Sequence, residues 1–479
     1  MRFPLLSKAA ALAIVILLLL LALARVDDVI RARQWHQRAA EQGLQDSLAS
    51  PQTVLGPVMQ MRCEETWERV EGEGKDRKMV SERRDHVVTA WPRTLSVDGS
   101  AAIEPRYRGL FKLNGYLAKH TLRAEWEPLA PPRRSAEQAG SRMTCQLPTI
   151  AVALSDARGI RSATVKFGEQ VLAVAPGSLL ATQPQGFHAT LPGVADVPFA
   201  LDIGLELAGT RQLAWVPVAQ QNKLTLHSPW PHPSFGGRFL PVDRQVSEQG
   251  FKSTWQVSAL ATTAQHAVQA GAALCGLHED GEVAGTAARY EAAPAKEGRL
   301  APCIDTFGVA FIDPVNGYLL NERATKYGLL FITLTFVVVA LVEVMRRLRV
   351  HPVQYLLVGC ALTVFFLLLL SLSEHLPFWQ AYLAAAAACT ALLAYYGAHV
   401  LQGAKAGAAF GAGIATLYAA LYALLQMEQT ALVLGSMLLF AVLAALMVAT
   451  RRIDWYALAT QLRQEASGTA RVTPTVGAV

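Results

Sequence analysis

The chain has 479 residues, of which 52% are hydrophobic and only 17% are charged. Its mean hydropathy of +0.27 is high for a soluble domain, and the ample apolar surface excludes a disordered chain. Charge is dense between Arg25 and Lys326 and sparse from Gly328 to Thr450, which excludes a single soluble domain. The net charge of +6 favours basic loops on the cytoplasmic side of a membrane over nucleic-acid binding.

The apolar stretches predict six membrane-spanning helices. A bilayer core about 30 Å thick needs roughly 20 apolar residues in helical form. The first predicted span covers residues 5–24. The other five are expected to form a compact bundle and cover residues 327–342, 352–372, 378–398, 407–425 and 431–449.

The basic residues of the short loops predict the orientation of these spans. Arg2 and Lys8 precede the first span and put the amino terminus inside. The basic positions 346–349, 405 and 451–452 then also lie inside, whereas the loops 371–378 and 426–430 contain no Lys or Arg. The long segment between the first two spans is therefore expected outside the cytoplasm, with both termini in the cytoplasm.

The first apolar stretch also has the features of a secretory signal. A basic start precedes it, and Ala22-Leu23-Ala24 is a small-residue cleavage site. Cleavage would leave five spans and would not move the large segment. Retention as an anchor is favoured, because the stretch from Pro4 to Ala24 is long for the apolar part of a signal.

Residues 26–325 are predicted to form a mostly β domain. Apolar and polar residues alternate in short runs, which is typical of half-buried strands, and Gly and Pro separate these runs. The polar segment 25–49 is expected to prolong the first helix or to form a stalk, and Pro131-Pro132 indicate a division into two sub-lobes. The clearest runs are residues 163–167, 171–175, 200–207, 212–218, 223–227 and 251–260.

Taken together, these patterns predict a membrane protein of the α+β class. It has an N-terminal transmembrane helix, a large β-rich periplasmic domain and a C-terminal five-helix transmembrane bundle. The predicted boundaries are 1–25 for the anchor, 26–325 for the periplasmic domain, 326–453 for the bundle and 454–479 for a short cytoplasmic tail.

Four of the six cysteines lie in the predicted periplasmic domain. An oxidising compartment allows them to form two disulfides. The local pairings of Cys63 with Cys145 and of Cys275 with Cys303 are favoured, and unpaired buried thiols are the alternative. The other two cysteines fall within spans and are expected to act as small apolar packing residues.

The segment 228–241 is rich in proline and aromatic residues. Each proline fixes φ and removes an amide donor, so a central strand is not expected here. The segment is predicted to be a stiff, irregular loop. It either presents a surface to a ligand or partner or caps the β core with its aromatic rings, and its candidate residues are Trp230, His232, Phe235, Arg238 and Phe239.

The sequence contains no recognised catalytic constellation. It has no P-loop, dinucleotide fingerprint or G-x-S-x-G elbow. His278-Glu279 begins a zinc-protease motif but lacks the second His. No catalytic, cofactor-binding or metal-binding residue is therefore predicted, and the protein is not expected to be an enzyme. No basic stripe for nucleic acid occurs outside the loops predicted to face the cytoplasm.

Polar residues in or beside the spans are the remaining candidates for function, because burying them in a bilayer is costly. Glu343 lies one turn before Arg346 and Arg347, a spacing that predicts an ion pair or snorkelling towards the cytoplasmic boundary. The other candidate positions flank the third predicted span and are His351, Gln354, Glu374 and His375.

Small residues predict a close helix contact within the bundle. Gly403, Gly407 and Gly411 recur every four residues, a spacing that lets two membrane helices approach closely. The expected neighbour is the 384–388 face of the fourth predicted span.

Several long stretches of the chain resemble one known family. They are SDARGI at 155–160, the 228–241 segment, RATKY at 323–327, LTF at 334–336, HPVQYLLVG at 351–359, SEH at 373–375 and RRIDW at 451–455. The chain resembles the CreD family of bacterial inner-membrane proteins, the cell envelope integrity proteins of Gram-negative bacteria. The resemblance implies an inner-membrane location, an envelope-stress regulon under a two-component system and no catalytic residue. The cysteine pairs are not part of the family pattern.

The leading hypothesis is a non-enzymatic inner-membrane protein that contributes to cell envelope integrity and the envelope-stress response. Its expected partners are the lipid bilayer and an envelope protein, lipid or glycan, without nucleic acid or cofactor. A lipid or small-molecule transporter is the alternative, with Glu343, Glu374 and His375 along its path and the 228–241 segment as its gate. A sensor is the third hypothesis, although the inside tail contains no recognisable output domain.

Overall fold

The structure is a computed structural model that describes residues 4–71, 78–128, 141–193, 197–277, 303–313, 317–346, 350–427 and 431–451. The chain divides into two compact units. The helical unit comprises Met1–His36 and Val315–Val479, and the β unit comprises Gln37–Pro314. Each unit has a hydrophobic core of its own.

The described residues contain eight α-helices. The first, α1, is 44 residues long and runs from Pro4 to Ser47, so it continues well beyond its apolar part. The others are α2 (Ala264–Gln269), α3 (Gly317–Lys326), α4 (Gly328–Arg346), α5 (Pro352–Ser373), α6 (Phe378–Val400), α7 (Ala404–Gln426) and α8 (Ala431–Thr450).

Four of the described helices are long and apolar enough to cross a membrane, namely α1, α5, α6 and α7. Helices α3 and α4 make a fifth span if they are taken together, with a bend of 43° between them. The expected span 327–342 corresponds to helix α4. Tyr327 lies at the bend, and the polar helix α3 precedes it. The last expected span, residues 431–449, forms helix α8.

Helices α1 and α5 run in the same direction. Near its middle, α1 places Leu19 directly against Gly359 of α5, where a Cβ would overlap the leucine. Further along, Arg33 Nε of α1 lies 3.3 Å from Glu374 Oε1, just after the end of α5. Residues 19–33 of α1 are therefore level with residues 359–374.

Helices α6 and α7 approach closely through two glycines of α7. A Cβ at Gly407 would overlap Ala398 of α6, and a Cβ at Gly411 would lie 2.6 Å from the Ala394 Cβ. The expected close contact is present, but its position is corrected. The neighbouring residues are Ala394 and Ala398 rather than the 384–388 face, and Gly403 caps the helix instead of packing.

Replacing Gly407 by Leu should separate α6 from α7 and lower the thermal stability of the purified protein. Leucine has no space at this position, because the Ala398 backbone lies 2.5 Å from the Cβ site. Gly413→Leu on the same helix is the matched control, since nothing lies within 4 Å of its Cβ site. Equal melting temperatures for the two variants in detergent would contradict this contact.

The β unit contains 17 described strands in two sheets. The strands are β1 (Gln52–Glu71), β2 (Lys78–Ala90), β3 (Thr94–Arg108), β4 (Phe111–Trp126), β5 (Arg142–Cys145), β6 (Thr149–Leu154), β7 (Ile160–Phe167), β8 (Gln170–Leu172), β9 (Val174–Pro176), β10 (Gly186–Thr190), β11 (Phe199–Thr210), β12 (Gln212–Trp215), β13 (Gln221–Ser228), β14 (Pro233–Gly237), β15 (Asp243–Ser247), β16 (Gly250–Ser258) and β17 (Phe307–Phe311).

The first sheet has the order β14-β17-β12-β1-β6-β10-β9, with β2 and β5 also paired to β1. The second has the order β15-β16-β13-β3-β4-β11-β7-β8. The pairs β1–β12 and β13–β3 are parallel, and the other described pairs are antiparallel. The chain passes back and forth between the sheets, so the expected division into sub-lobes is wrong. The residues Pro131-Pro132, where that division was expected, lie outside the described residues.

One buried cluster of apolar side chains joins the two sheets. His120 of β4 lies within it, 3% exposed, with its ring edge-on to Trp215 of β12 at 5.2 Å between centroids. Gly99 of β3 leaves room for this ring, because a Cβ there would overlap it. Neither ring nitrogen has a hydrogen-bond partner among the described residues.

The buried His120 should make the β unit sensitive to acid. Burial lowers the pKa of its imidazole from 6.5 to about 4, so the folded state holds the ring neutral while the unfolded chain takes up a proton. Above about pH 6.5 the ring is neutral in both states, and the burial of His120 does not lower the free energy of unfolding. It falls by about 3 kcal/mol as the pH drops to about 4.

His120→Phe should remove that part of the pH dependence. Urea unfolding of the full chain in detergent, followed by tryptophan fluorescence at pH 7 and pH 4.5, measures it. The exposed His227 of β13 provides the control His227→Phe. If the free energy of unfolding falls equally between pH 7 and pH 4.5 in His120→Phe and in the wild-type protein, other groups cause the acid sensitivity.

Candidate functional site

Glu343 is buried where α4 approaches the start of α5. One carboxylate oxygen accepts a hydrogen bond from the Tyr355 hydroxyl at 2.8 Å, and the other accepts one from the Val350 amide at 3.1 Å. The side chains of Arg346 and Arg347, its expected partners, lie outside the described residues. The described contacts therefore make Glu343 a link between two helices.

His351 and Gln354 form the cap of helix α5. His351 Nδ1 accepts a hydrogen bond from the Val353 amide at 3.3 Å, and Gln354 Oε1 accepts one from the His351 amide at 3.1 Å. Pro352 occupies the first turn, where a missing amide donor costs nothing. Both side chains are thus engaged in starting the helix.

Glu374 lies in a second polar cluster, at the other end of α5. It pairs with Arg33 of α1 and accepts a hydrogen bond from the Tyr318 hydroxyl of α3 at 3.5 Å. Beside it, Asn321 Nδ2 donates to Ser373 Oγ at 2.7 Å. The predicted residue His375, next in the chain, is exposed in the turn.

The predicted membrane residues therefore form two sites. Helix α5 has 22 residues, which corresponds to about 33 Å, and the two clusters lie at its opposite ends. Glu343, His351 and Gln354 are near its start, whereas Glu374 and His375 follow its end.

The 228–241 segment is more regular than expected. Residues 233–237 form strand β14, which lies at the edge of the first sheet and pairs with β17. Pro233 is its first residue, a place where a strand tolerates the missing donor. The prediction of a wholly irregular loop is therefore wrong. The prediction that this segment does not form a central strand agrees with the edge position of β14.

The aromatic rings of this segment pack on the β core. Phe235 lies 5.7 Å from Trp255, and Phe239 lies 6.5 Å from Phe307, between ring centroids. Trp230 is partly buried against the same core, and Lys112 Nζ lies 5.6 Å from the centre of its ring. Of the two sequence interpretations, these contacts favour the cap.

The two polar candidates of the segment face outward. His232 is exposed, although its carbonyl accepts a hydrogen bond from Trp230 Nε1 at 3.0 Å. Arg238 is 74% exposed and lies 3.6 Å from Asp305. A partner surface here would consist of these two side chains rather than of the aromatic residues.

The structure contains both favoured cysteine pairings. Cys63 of β1 is bonded to Cys145 of β5, and Cys275 is bonded to Cys303. The first disulfide joins neighbouring strands at directly paired positions. The second closes a segment that includes His278-Glu279, and this motif lies outside the described residues.

Asp156, in the 155–160 stretch, ties the entry of β1 to the turn before β7. Its carboxylate accepts hydrogen bonds from the Ser50 amide at 2.9 Å and from Arg158 at 2.7 Å. Burial alone would raise the pKa of this carboxyl, but these hydrogen bonds outweigh burial and lower the pKa to about 2. The stretch is therefore a structural joint.

Sequence reasoning missed Arg33, Asn321 and His120. Arg33 lies in the segment that was expected to prolong the first helix or to form a stalk, and the structure shows the prolonged helix. The apolar residues Val26 and Ile30, four positions apart, could have revealed that this helix keeps packing. No local pattern predicts that His120 lies in the core between the two sheets. Among the described residues, no group of three or more His, Cys, Asp or Glu side chains could hold a metal ion.

These features define a membrane protein whose first apolar helix is followed by a large two-sheet β unit and then by further apolar helices. A family model described as Inner membrane protein CreD matches residues 4–456. The chain is 33% identical over 462 residues to Inner membrane protein CreD of Escherichia coli strain K12, a match that covers 95% of each chain. The chain therefore belongs to the CreD family of inner membrane proteins.

Solved structures with detected similarity share little with this chain. Two crystal structures of the M1 zinc metallopeptidase from Deinococcus radiodurans, one of them a mutant with a Tyr-Ser-Ala substrate, are each 12% identical, with TM-scores of 0.19 and 0.18. Each match covers 34% of this chain and 38% of that chain. At these TM-scores the likeness carries no argument about function.

Tyr355→Phe should lower the melting temperature of the purified protein. It removes the hydroxyl that donates to the buried Glu343 and so costs about 1–3 kcal/mol. Tyr395→Phe is the matched control, because the Tyr395 side chain is 68% exposed. A Tyr355→Phe variant as stable as this control would show that the hydrogen bond contributes nothing.

Proposed function

We propose that this protein is a non-enzymatic component of the cell envelope that maintains envelope integrity and serves the envelope-stress response. In this proposal it spans the inner membrane six times, with the β unit in the periplasm and both termini in the cytoplasm. The distribution of cysteines carries the orientation in this proposal. The four in the β unit are joined in disulfides, and the two in helices α5 and α6 are free.

Disulfides persist in the bacterial periplasm and are rare in the cytosol, so the paired cysteines support a periplasmic β unit. The direction of the helices supports the proposed alternation of crossings. Alternating crossings require the first and third spans to be parallel, and α1 and α5 run in the same direction. The basic loops of the sequence agree with this arrangement.

The buried carboxylates of the described residues support a structural role for the polar groups. Asp156 is held by Arg158 and Ser50. Glu343 accepts from Tyr355 and Val350. Asp156 joins elements that are distant in sequence, and Glu343 joins two consecutive helices, which suits a protein that acts by holding a shape at the membrane.

Transport of a lipid or small molecule is the second candidate function. The bend of 43° between α3 and α4 favours it, because broken membrane helices often line binding sites in transporters. The Glu374 cluster lies beside this broken span. Protein groups engage both the Glu343 and the Glu374 carboxylates, which makes envelope maintenance the better supported function.

A membrane-impermeant maleimide applied to spheroplasts tests the orientation. After mild reduction, the exposed Cys145 should react from outside. Lys405→Cys, at an exposed position in the first turn of α7 and in a variant without Cys360 and Cys389, should react only after the membrane is opened. Labelling of Lys405→Cys in intact spheroplasts would contradict the proposed topology.

Complementation of a deletion strain tests the function. The wild-type chain should restore resistance to a bile-salt detergent, and Cys63→Ser with Cys145→Ser should restore less of it, because the disulfide stabilises the β unit by about 2–4 kcal/mol. Cys360→Ala with Cys389→Ala is the control and should complement fully. An unchanged detergent sensitivity in the deletion strain would contradict a role in envelope integrity.

A further inference from the structure

Helix α1 carries a charged stretch beside an apolar part of α5. Leu19 lies against Gly359, and Arg33 lies 3.3 Å from Glu374. The residues between them on α1 are therefore level with the second half of α5, which is apolar enough to span a membrane. Four residues of this α1 stretch are ionisable, namely Arg25, Asp27, Asp28 and Arg31.

These charges lie beside the last turns of α5. Arg33 is level with Glu374, the residue that follows the end of α5. At 1.5 Å per residue, Arg31 lies about 3 Å and Arg25 about 12 Å below Arg33 along α1. The charged stretch is therefore level with an apolar part of a helix that is long enough to cross a membrane.

The charged side chains point away from the helical core. Val26 and Ile30 are the buried residues of this stretch, 7% and 0% exposed. By contrast, the side chains of Arg25, Asp28 and Arg31 are 86%, 58% and 65% exposed. They therefore point away from the packed interior of the helical unit.

Helix α3 adds two further charges to the same surface. Gln34 Nε2 of α1 donates to Glu322 of α3 at 3.0 Å, and Glu322 lies 2.8 Å from Lys326, whose side chain is 68% exposed. We call the surface formed by these groups the charged helix patch. It contains three cations and three carboxylates, which are Arg25, Asp27, Asp28, Arg31, Glu322 and Lys326.

The pairing within the patch is partial. Arg31 donates a hydrogen bond to Asp27, whereas Asp28 lies 3.8 Å from both Arg25 and Arg31, which is beyond hydrogen-bond distance. A guanidinium group has five N–H donors, so both arginines keep donors for a ligand. Exposed charges at membrane depth are costly unless a polar partner reaches them. The formal charge of the patch is zero, so a partner that itself carries both signs matches it better than an anion does.

We propose that the charged helix patch binds the headgroup of phosphatidylethanolamine, drawn below the general level of the membrane surface. The phosphate would face Arg25 and Arg31, and the ammonium would donate hydrogen bonds to Asp28 and Glu322. A choline headgroup has the same two charges but no N–H donor, so it should bind less well. This site needs only the membrane location and not the proposed role in envelope integrity.

Native mass spectrometry of the full chain in detergent tests the site, with equal amounts of phosphatidylethanolamine, phosphatidylcholine and phosphatidylglycerol added. The wild-type protein should retain phosphatidylethanolamine about tenfold more than phosphatidylcholine, the effect of hydrogen bonds to charged groups. This comparison requires no variant. Equal retention of the two lipids, or a preference for phosphatidylglycerol, would overturn the proposal.

Arg25→Gln combined with Asp28→Asn should bring phosphatidylethanolamine retention down to that of phosphatidylcholine. Arg123→Gln combined with Asp202→Asn is the matched control, because it removes an exposed ion pair of 3.6 Å from the β unit. If the double variant fails to fold, Asp28→Asn alone should show a partial loss. A full preference in folded Arg25→Gln, Asp28→Asn protein would overturn the site.

Discussion

A polar group buried in hydrocarbon without a partner is costly, and the helical unit is organised around this constraint. Glu343 would be such a group, and the Tyr355 hydroxyl and Val350 amide satisfy it. Glu374 is satisfied by Arg33 and Tyr318. In both cases the partner comes from another helix or from the adjoining turn, so the polar groups determine how the helices meet at either end of α5.

The β unit depends on joints between elements that are far apart in sequence. Asp156 ties the entry of β1 to the turn before β7, and the disulfide from Cys63 to Cys145 joins β1 to β5. The stretches on which the family resemblance rests often lie at such joints. Asp156 belongs to one, the capping box of α5 to another, and Glu374 to a third. They are understandable as structural positions without any catalytic role.

Much of the fold could be predicted from local patterns. The apolar lengths predicted the helices, and the alternation predicted strands such as β11 and β13, because each pattern repeats within its own element. The edge strand β14 was missed because its pairing with β17 involves a segment about 70 residues away. The bend at Tyr327 was missed because α3 is polar and lacks the composition of a span. For the candidate site, residue types such as Glu343 and Glu374 could be identified, but not their partners.

The sequence by itself determined the family, the order of apolar and β-rich segments, and the polar side chains that need partners near the membrane. Only the tertiary structure decided that Glu343 meets Tyr355, that Glu374 meets Arg33, and that the charges of α1 lie beside an apolar part of α5. The physical reason is that composition and periodicity act within one element. A hydrogen bond or a depth in the bilayer depends on how separate elements pack together.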